Sequence, residues 1–223
     1  MRLLDEQFSH GDYAVMCGGS MMYVDAVTRG IDSLPTISDD VRKRACGILE
    51  TEGIEGVRTR LRELDPDYYA QVDQANHKRL VHALEICLEA GVPYSSLRTG
   101  LAKERPFRVV KFALNYPREE LFARINRRVD AMIEGGLVEE ARSVSRFRHL
   151  NSLNTVGYKE LFAYFDGVWD LPTAVSRMAK NTRVYAKKQL TWLKRDASVV
   201  WLDPHNPGLV DEVLRRAGYP EQA

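Results

Sequence analysis

Cysteine is scarce in this chain: Cys17, Cys46 and Cys87 are the only three among 223 residues, and no two stand in a Cys-x-x-Cys spacing. An odd, scattered set supplies neither a disulfide framework nor a zinc site and points to reduced thiols. The five histidines are equally dispersed. No run of eighteen apolar residues occurs, and no basic segment leads into an apolar one, so the sequence gives no sign of membrane insertion or export and is expected to work in the cytoplasm. Internal repeats and low-complexity tracts are absent too. What remains is ordinary globular material, 44% hydrophobic and 28% charged, enough for one large domain or two small ones with a real core.

The most informative absence is of acid. Residues 175–195 contain no Asp or Glu, yet six cations fall between Lys180 and Arg195, in and around the string "AKKQLTWLKR". On a helix, Val175, Met178, Ala179, Thr182, Ala186, Leu190 and Leu193 recur at three- and four-residue spacing and form an apolar stripe. The opposite side carries Lys180, Arg183, Lys187, Thr191 and Lys194, flanked by Lys188 and Arg195. A solvated face is usually laced with Glu–Lys pairs four apart, and this one has none. Two readings stand: a solvated cationic face, or a phosphate-binding helix with the Gln189 amide and the Trp192 ring at its edge. Charge along the chain favours a polyanion. Residues 1–75 hold 8 Lys/Arg against 14 Asp/Glu, a net of −6, which leaves +7 of the total +1 for residues 76–223.

The opening "MRLLDEQFSH" has the pattern of the end of an amphipathic helix, and "YAVMCGGS" that of a buried strand over residues 13–17 running into a glycine turn and a helix capped by Gly30. A fold rarely starts on half a helix, so further strands and helices are expected upstream. Helical texture follows: "SDDVRKRACGILETEG" with an N-cap serine and acids in its first turn, "GIEGVRTRLRELDP", the short "DPDYYAQV", and "NHKRLVHALEICLEAG" with Leu80, Leu84, Ile86 and Leu88 inward and Gly91 as cap. A linker "RTGLAKERP" leads to the strand "FRVVKFALNYP", a long helix broken at Gly135-Gly136, the segment "SLNTVGYKELFAYFDG", the basic helix and a closing strand "SVVWLD". Strands and helices on both sides of a helical block indicate an α/β fold with a helical insertion.

The strings "GGSMMYVDAV", "HKRLVHALEICLEAGVPYS", "RINRRVDAMIEGGLVEEA", "LNTVGYKEL" and "TRVYAKKQLTWLKR" occur in the order and spacing of the tRNA dimethylallyltransferases, and the chain resembles that family over nearly its whole length. The resemblance implies an α/β, P-loop-kinase-like core, incomplete here, with an all-helical insertion domain. Residues 1–34 and 105–223 would then belong to the core, and residues 35–104 would be the insertion that grips the anticodon stem-loop. It further implies transfer of a dimethylallyl group from dimethylallyl diphosphate to the N6 amine of the adenosine 3′ of the tRNA anticodon, in a channel through the core. Cations and Mg²⁺ would stabilise the diphosphate as the allylic C–O bond breaks, and the target adenine would leave its stack. Partners are thus a tRNA anticodon stem-loop and dimethylallyl diphosphate, with no membrane, and the full-length protein is expected to be a monomer.

Position by position, Arg128 matches the family arginine that binds diphosphate, the alternative being a helix-surface salt bridge to Glu120 or Glu134. Arg183 matches a basic residue near the diphosphate. Ser20 stands where the family more often has threonine and would contact RNA or the channel. Asn154, Thr155, Val156, Gly157, Tyr158 and Lys159 match a tRNA-touching segment, where Gly157 permits close backbone approach and Tyr158 is either an RNA contact or a core aromatic. Lys187, Lys188, Gln189, Thr191, Trp192 and Lys194 match another. In the helical block, Lys78, Arg79 and His82 fall on a tRNA-binding pattern, with Lys78 replacing the usual glutamine and His82 the second arginine. That exchange alters how base edges are held.

Two family segments are missing from these 223 residues: the Gly-rich phosphate loop ending in Gly-Lys-Ser/Thr, and the Asp-Ser-x-Gln segment whose aspartate is the general base. The expected metal ligands for Mg²⁺, with the nucleotide-binding-type P-loop, therefore lie outside this sequence, which holds no metal site of its own. Alone, the chain is expected to be inactive. Two alternatives stay open: a non-catalytic tRNA- or RNA-binding fragment, and an adenine-nucleotide isopentenyltransferase. A P-loop kinase is disfavoured, because "LNTVGYKEL" and "KKQLTWLKR" have no kinase counterpart.

Overall fold

The computed structural model describes residues 1–219. The chain divides into two compact units, one of Met1–Val15 and Met22–Phe107, the other of Met16–Met21 and the chain from Arg108 onward.

The first unit is helical. After α1 (Arg2–Phe8) and α2 (Met21–Thr28), its centre is α3 (Asp39–Leu64), broken at Gly53 (φ 65°), followed by α4 (Pro66–Gln71), α5 (His77–Ala90) and the short α6 (Tyr94–Leu97). Local chemistry sets these boundaries. Ser38 accepts the Val41 N–H with Asp39 and Asp40 in the first turn, Asn76 accepts the Arg79 N–H, and Gly91 closes α5 in the left-handed conformation. Val57, Leu61, Leu80, Ala83 and Leu84 are fully buried between α3 and α5, each leucine worth roughly 2 kcal/mol. Asp65 is buried as well. Its Oδ1 accepts the Tyr68 N–H (2.9 Å) and the Ser95 hydroxyl (2.7 Å), and its Oδ2 accepts the Ser95 N–H (2.7 Å), joining the starts of α4 and α6.

In the second unit, β1 (Phe112–Leu114) pairs in parallel with β2 (Val200–Leu202), Ala113 opposite Trp201. The unit's helices are α7 (Arg118–Glu134), α8 (Leu137–Val144), α9 (Tyr158–Phe165), α10 (Leu171–Leu193) and α11 (Leu209–Ala217). The break between α7 and α8 falls at Gly135-Gly136 as the sequence indicates. Val129, Leu137, Ala141, Leu161, Met178 and Ala179 form the core of this unit.

The described residues are thus mostly helical with one small parallel sheet, in keeping with an α/β fold. One strand expectation fails. Residues 13–17 form no strand, and Tyr13, Val15 and Met16 are exposed, Val15 to 89%. Among the described residues no strand lies beside this segment, so its backbone has no ladder to join and its apolar side chains no second layer to face.

Candidate nucleic-acid interface

The acid-free segment forms all of α10 after its first four residues and runs on to Arg195. Asp170 starts this helix by accepting the Thr173 N–H (2.9 Å), and the Thr173 side chain, with that backbone bond, holds its carboxyl below the ordinary range. The apolar stripe is present but uneven: Met178 and Ala179 are buried, whereas Ala186, Leu190 and Leu193 are half-buried. Opposite it, Lys180, Lys187, Lys188, Lys194 and Arg195 are exposed, and none forms an ion pair among the described residues. Thr191 donates its hydroxyl to the Lys187 carbonyl (2.9 Å), and Trp192 is half-buried.

Two residues of this helix reach a turn. Gln189 donates its amide to the Gly19 carbonyl (2.6 Å), and the Tyr185 hydroxyl reaches the same oxygen (3.4 Å). A Cβ on Gly19 would lie 1.9 Å from the Gln189 Nε2, so a side chain there would displace the Gln189 amide from this carbonyl. Gln189 therefore braces the Gly18-Gly19-Ser20 turn, and half-buried Ser20 sits directly before α2.

Arg183, half-buried, donates to the Asn126 Oδ1 (2.7 Å) and lies over the Phe122 ring at 5.6 Å, so α7 holds its guanidinium. Arg128, also on α7, is exposed and makes no salt bridge with Glu120 or Glu134; Glu120 pairs with His205 instead. Its charge is uncompensated.

In residues 154–159, Asn154, Thr155, Val156 and Lys159 are outside the core, Val156 being 37% exposed. Gly157 is buried at φ 104°, a conformation suited to glycine, and its N–H donates to the Glu160 Oε2 (2.7 Å). Glu160 is only 2% exposed, and its Oε1 accepts from the Asn181 amide of α10 (2.6 Å). This carboxylate ties the loop to the cationic helix. Tyr158 faces the core, its hydroxyl donating to Glu140 and its ring 6.1 Å from that of Phe162. The bond to Glu140 favours the neutral phenol and pushes its pKa up. Of the two roles the sequence left to Tyr158, the packing matches the core aromatic. Glu160 and Asn181 were not singled out from the sequence. The Gly157-x-x-Glu160 spacing is that of a helix N-cap and its N3 residue, a signal that could have found Glu160. Nothing local marks Asn181.

In the first unit, Lys78, Arg79 and His82 lie on α5, Lys78 and Arg79 exposed and the His82 side chain 53% exposed, with its Nδ1 3.6 Å from Glu85. Among the described residues no group of three His, Cys, Asp or Glu side chains could hold a metal ion. No described helix is long and apolar enough to cross a membrane.

The sequence profile of the IPP transferase family matches residues 1–196. The chain belongs to that family. Among IPP transferase relatives, it is 52% identical to tRNA dimethylallyltransferase 1 of Bacteroides thetaiotaomicron, over 96% of this chain and 70% of the relative. It is 54% identical to tRNA dimethylallyltransferase 2 of Parabacteroides distasonis, over 91% of this chain and 68% of the relative. The chain thus spans about two-thirds of the length of these curated relatives. The crystal structure of the full-length tRNA isopentenylpyrophosphate transferase of Bacillus halodurans is similar at TM-score 0.54 and 32% identity, over 89% of this chain and 63% of that one. A eukaryotic dimethylallyltransferase acting on tRNA shares the fold at TM-score 0.69 and 20% identity, over 92% of this chain and 57% of that one.

Proposed function

We propose that this chain carries the tRNA-contacting surface and part of the diphosphate-contacting surface of a tRNA dimethylallyltransferase. The observation that carries the reading is its 52% identity, over 96% of its length, to a tRNA dimethylallyltransferase. The N6 amine of the adenosine 3′ of the anticodon attacks the allylic carbon of dimethylallyl diphosphate. As the new C–N bond forms, the C–O bond breaks and diphosphate departs with the electron pair. A base then takes the proton from nitrogen, and the family's aspartate for this step is not among these residues.

Arg128 and Arg183 supply what the leaving group needs. An exposed guanidinium with no carboxylate partner meets the growing negative charge without first breaking an ion pair, so its interaction strengthens toward the transition state. Asn126 and Phe122 restrain the Arg183 guanidinium, which lowers the entropy lost on engaging an anion. The unpaired cations of α10 and the exposed residues of the 154–159 loop suit an RNA backbone. The Mg²⁺ ligands and the P-loop belong to segments this sequence lacks. On the same reading, residues 35–104 act as the stem-binding insertion into a P-loop-kinase-like core made of residues 1–34 and 105–223, and the complete enzyme is a cytoplasmic monomer.

The test is transfer of labelled dimethylallyl from its diphosphate to an anticodon stem-loop. A chain that also carries the P-loop and general-base segments is expected to turn over, and the 223 residues alone to bind without turnover. In the active form, R128A should lower kcat about 100-fold with an unchanged melting temperature. Robust turnover by the 223 residues would overturn the placement of the base. Preference for free adenosine monophosphate over the stem-loop would favour an adenine-nucleotide isopentenyltransferase.

A further inference from the structure

Gln189 and Tyr185 stand one turn apart on α10 and address the same atom, the Gly19 carbonyl oxygen, from 2.6 Å and 3.4 Å. The first contact is a full hydrogen bond and the second lies past the usual hydroxyl range, so Gln189 is the anchor. The Gly19 carbonyl and the Ser20 N–H belong to one peptide plane, and a donor that fixes the carbonyl fixes that plane. The turn needs such a pin, because Gly18 and Gly19 carry no side chain to pack and restrict their backbone least of all residues. Six residues earlier on the same helix, about 9 Å along its axis at about 1.5 Å per residue, Arg183 donates to the Asn126 Oδ1 (2.7 Å). The turn, Gln189 and Arg183 all belong to the second unit.

We propose that Gln189 is a positioning residue for the transfer reaction: through the Gly19 carbonyl it holds the Ser20 hydroxyl at a set distance from Arg183. The proposal rests on the tRNA dimethylallyltransferase reading, in which Ser20 contacts the acceptor RNA or its channel and Arg183 the diphosphate. It takes Gln189 out of the RNA-contacting set in which the sequence places it. Lys187 and Lys188 are exposed and form no ion pair among the described residues, as groups that meet phosphate should be. Gln189 is half-buried, and its amide is already committed to a backbone carbonyl. Group transfer needs acceptor and leaving group aligned, and a displacement of about 1 Å can cost much of the rate. One helix that grips the acceptor-side turn with Gln189 and presents Arg183 to the leaving group supplies that alignment.

The experiment is steady-state transfer of labelled dimethylallyl to an anticodon stem-loop by the chain that also carries the P-loop and general-base segments, paired with anisotropy titrations of the same stem-loop. Q189A should lower kcat about five- to tenfold, the worth of one hydrogen bond, and leave the stem-loop Kd and its salt dependence unchanged. Q189E keeps the shape but offers no donor, so it should match Q189A. G19A attacks the same bond from its other end: Gly19 is not among the glycines of positive φ, so alanine suits the backbone, and its Cβ would push the Gln189 amide aside. G19A should therefore cost as much as Q189A, and Q189A/G19A no more than either alone. In an S20A background Q189A should add nothing. Because G19A leaves α10 untouched, a loss of kcat shared by both variants is not a loss of the helix. Additive effects of Q189A and G19A, or of Q189A and S20A, overturn the proposal. A Q189A enzyme whose Kd rises at constant kcat makes Gln189 an RNA contact and overturns it as well, as does one with both constants unchanged. Absence of transfer by the wild-type enzyme overturns the tRNA reading itself.

Discussion

Glu160 shows how a single buried side chain can govern a surface it never reaches. Its two oxygens are matched to two neutral donors, the Gly157 N–H and the Asn181 amide, with no cation in the arrangement. N181D would set a second carboxylate against Glu160 where a neutral donor stood, destabilising the fold by about 3 kcal/mol. In E160Q/N181D the glutamine oxygen keeps the Gly157 N–H and its amide donates to the carboxylate introduced on α10, so thermal stability and stem-loop affinity should both return toward wild type. A double variant that melts no higher than N181D would sink this account. Legibility differs between the two partners. Glu160 stands at a spacing that local helix capping explains, whereas Asn181 matters only because α9 and α10 pack, and its twenty-one-residue separation leaves no local trace.

The helical elements were legible where their ends are written in short-range chemistry: Ser38 as a cap, Gly91 as terminator, Gly135-Gly136 as a break. The basic face of α10 was legible for the same reason, since the absence of acid at four-residue spacing is a local property. Residues 13–17 were misjudged because an apolar run becomes a strand only where a neighbour completes its ladder, and that condition is not local. The strand pair that does form is pinned at its entry by Lys111, which donates to Asp196 (2.7 Å). That bond, with two from Ser198, holds the Asp196 carboxyl well below the usual carboxylate range. A depressed folded pKa means the stabilisation is fully present above the unfolded value near 4 and is lost as pH falls below it toward the folded value. Thermal melts of wild type and D196N should therefore differ at pH 6 to 7 and converge as the solution is acidified below about pH 3. A gap that stayed constant with pH would show that the ion pair is not its source.

For the molecule as a whole, a net charge of +1 conceals a cationic surface that lacks internal compensation. If those cations meet RNA, binding should weaken steeply with salt, each neutralised phosphate contributing about 0.7 to 0.9 to the slope of log K against log [salt]. K187A/K188A should lower that slope by about 1.4 to 1.8 without changing the melting temperature, as measured by titrations across a salt series. An unchanged slope would mean that this face is merely solvated. Asp65, deep in the other unit, has a kinetic corollary. By clasping Tyr68 and Ser95 it fixes the starts of α4 and α6 against each other. The bonds to Ser95 join residues thirty apart in sequence, a clasp that closes late as the chain folds, so D65A should quicken unfolding far more than it slows folding, as read from the two arms of a denaturant chevron.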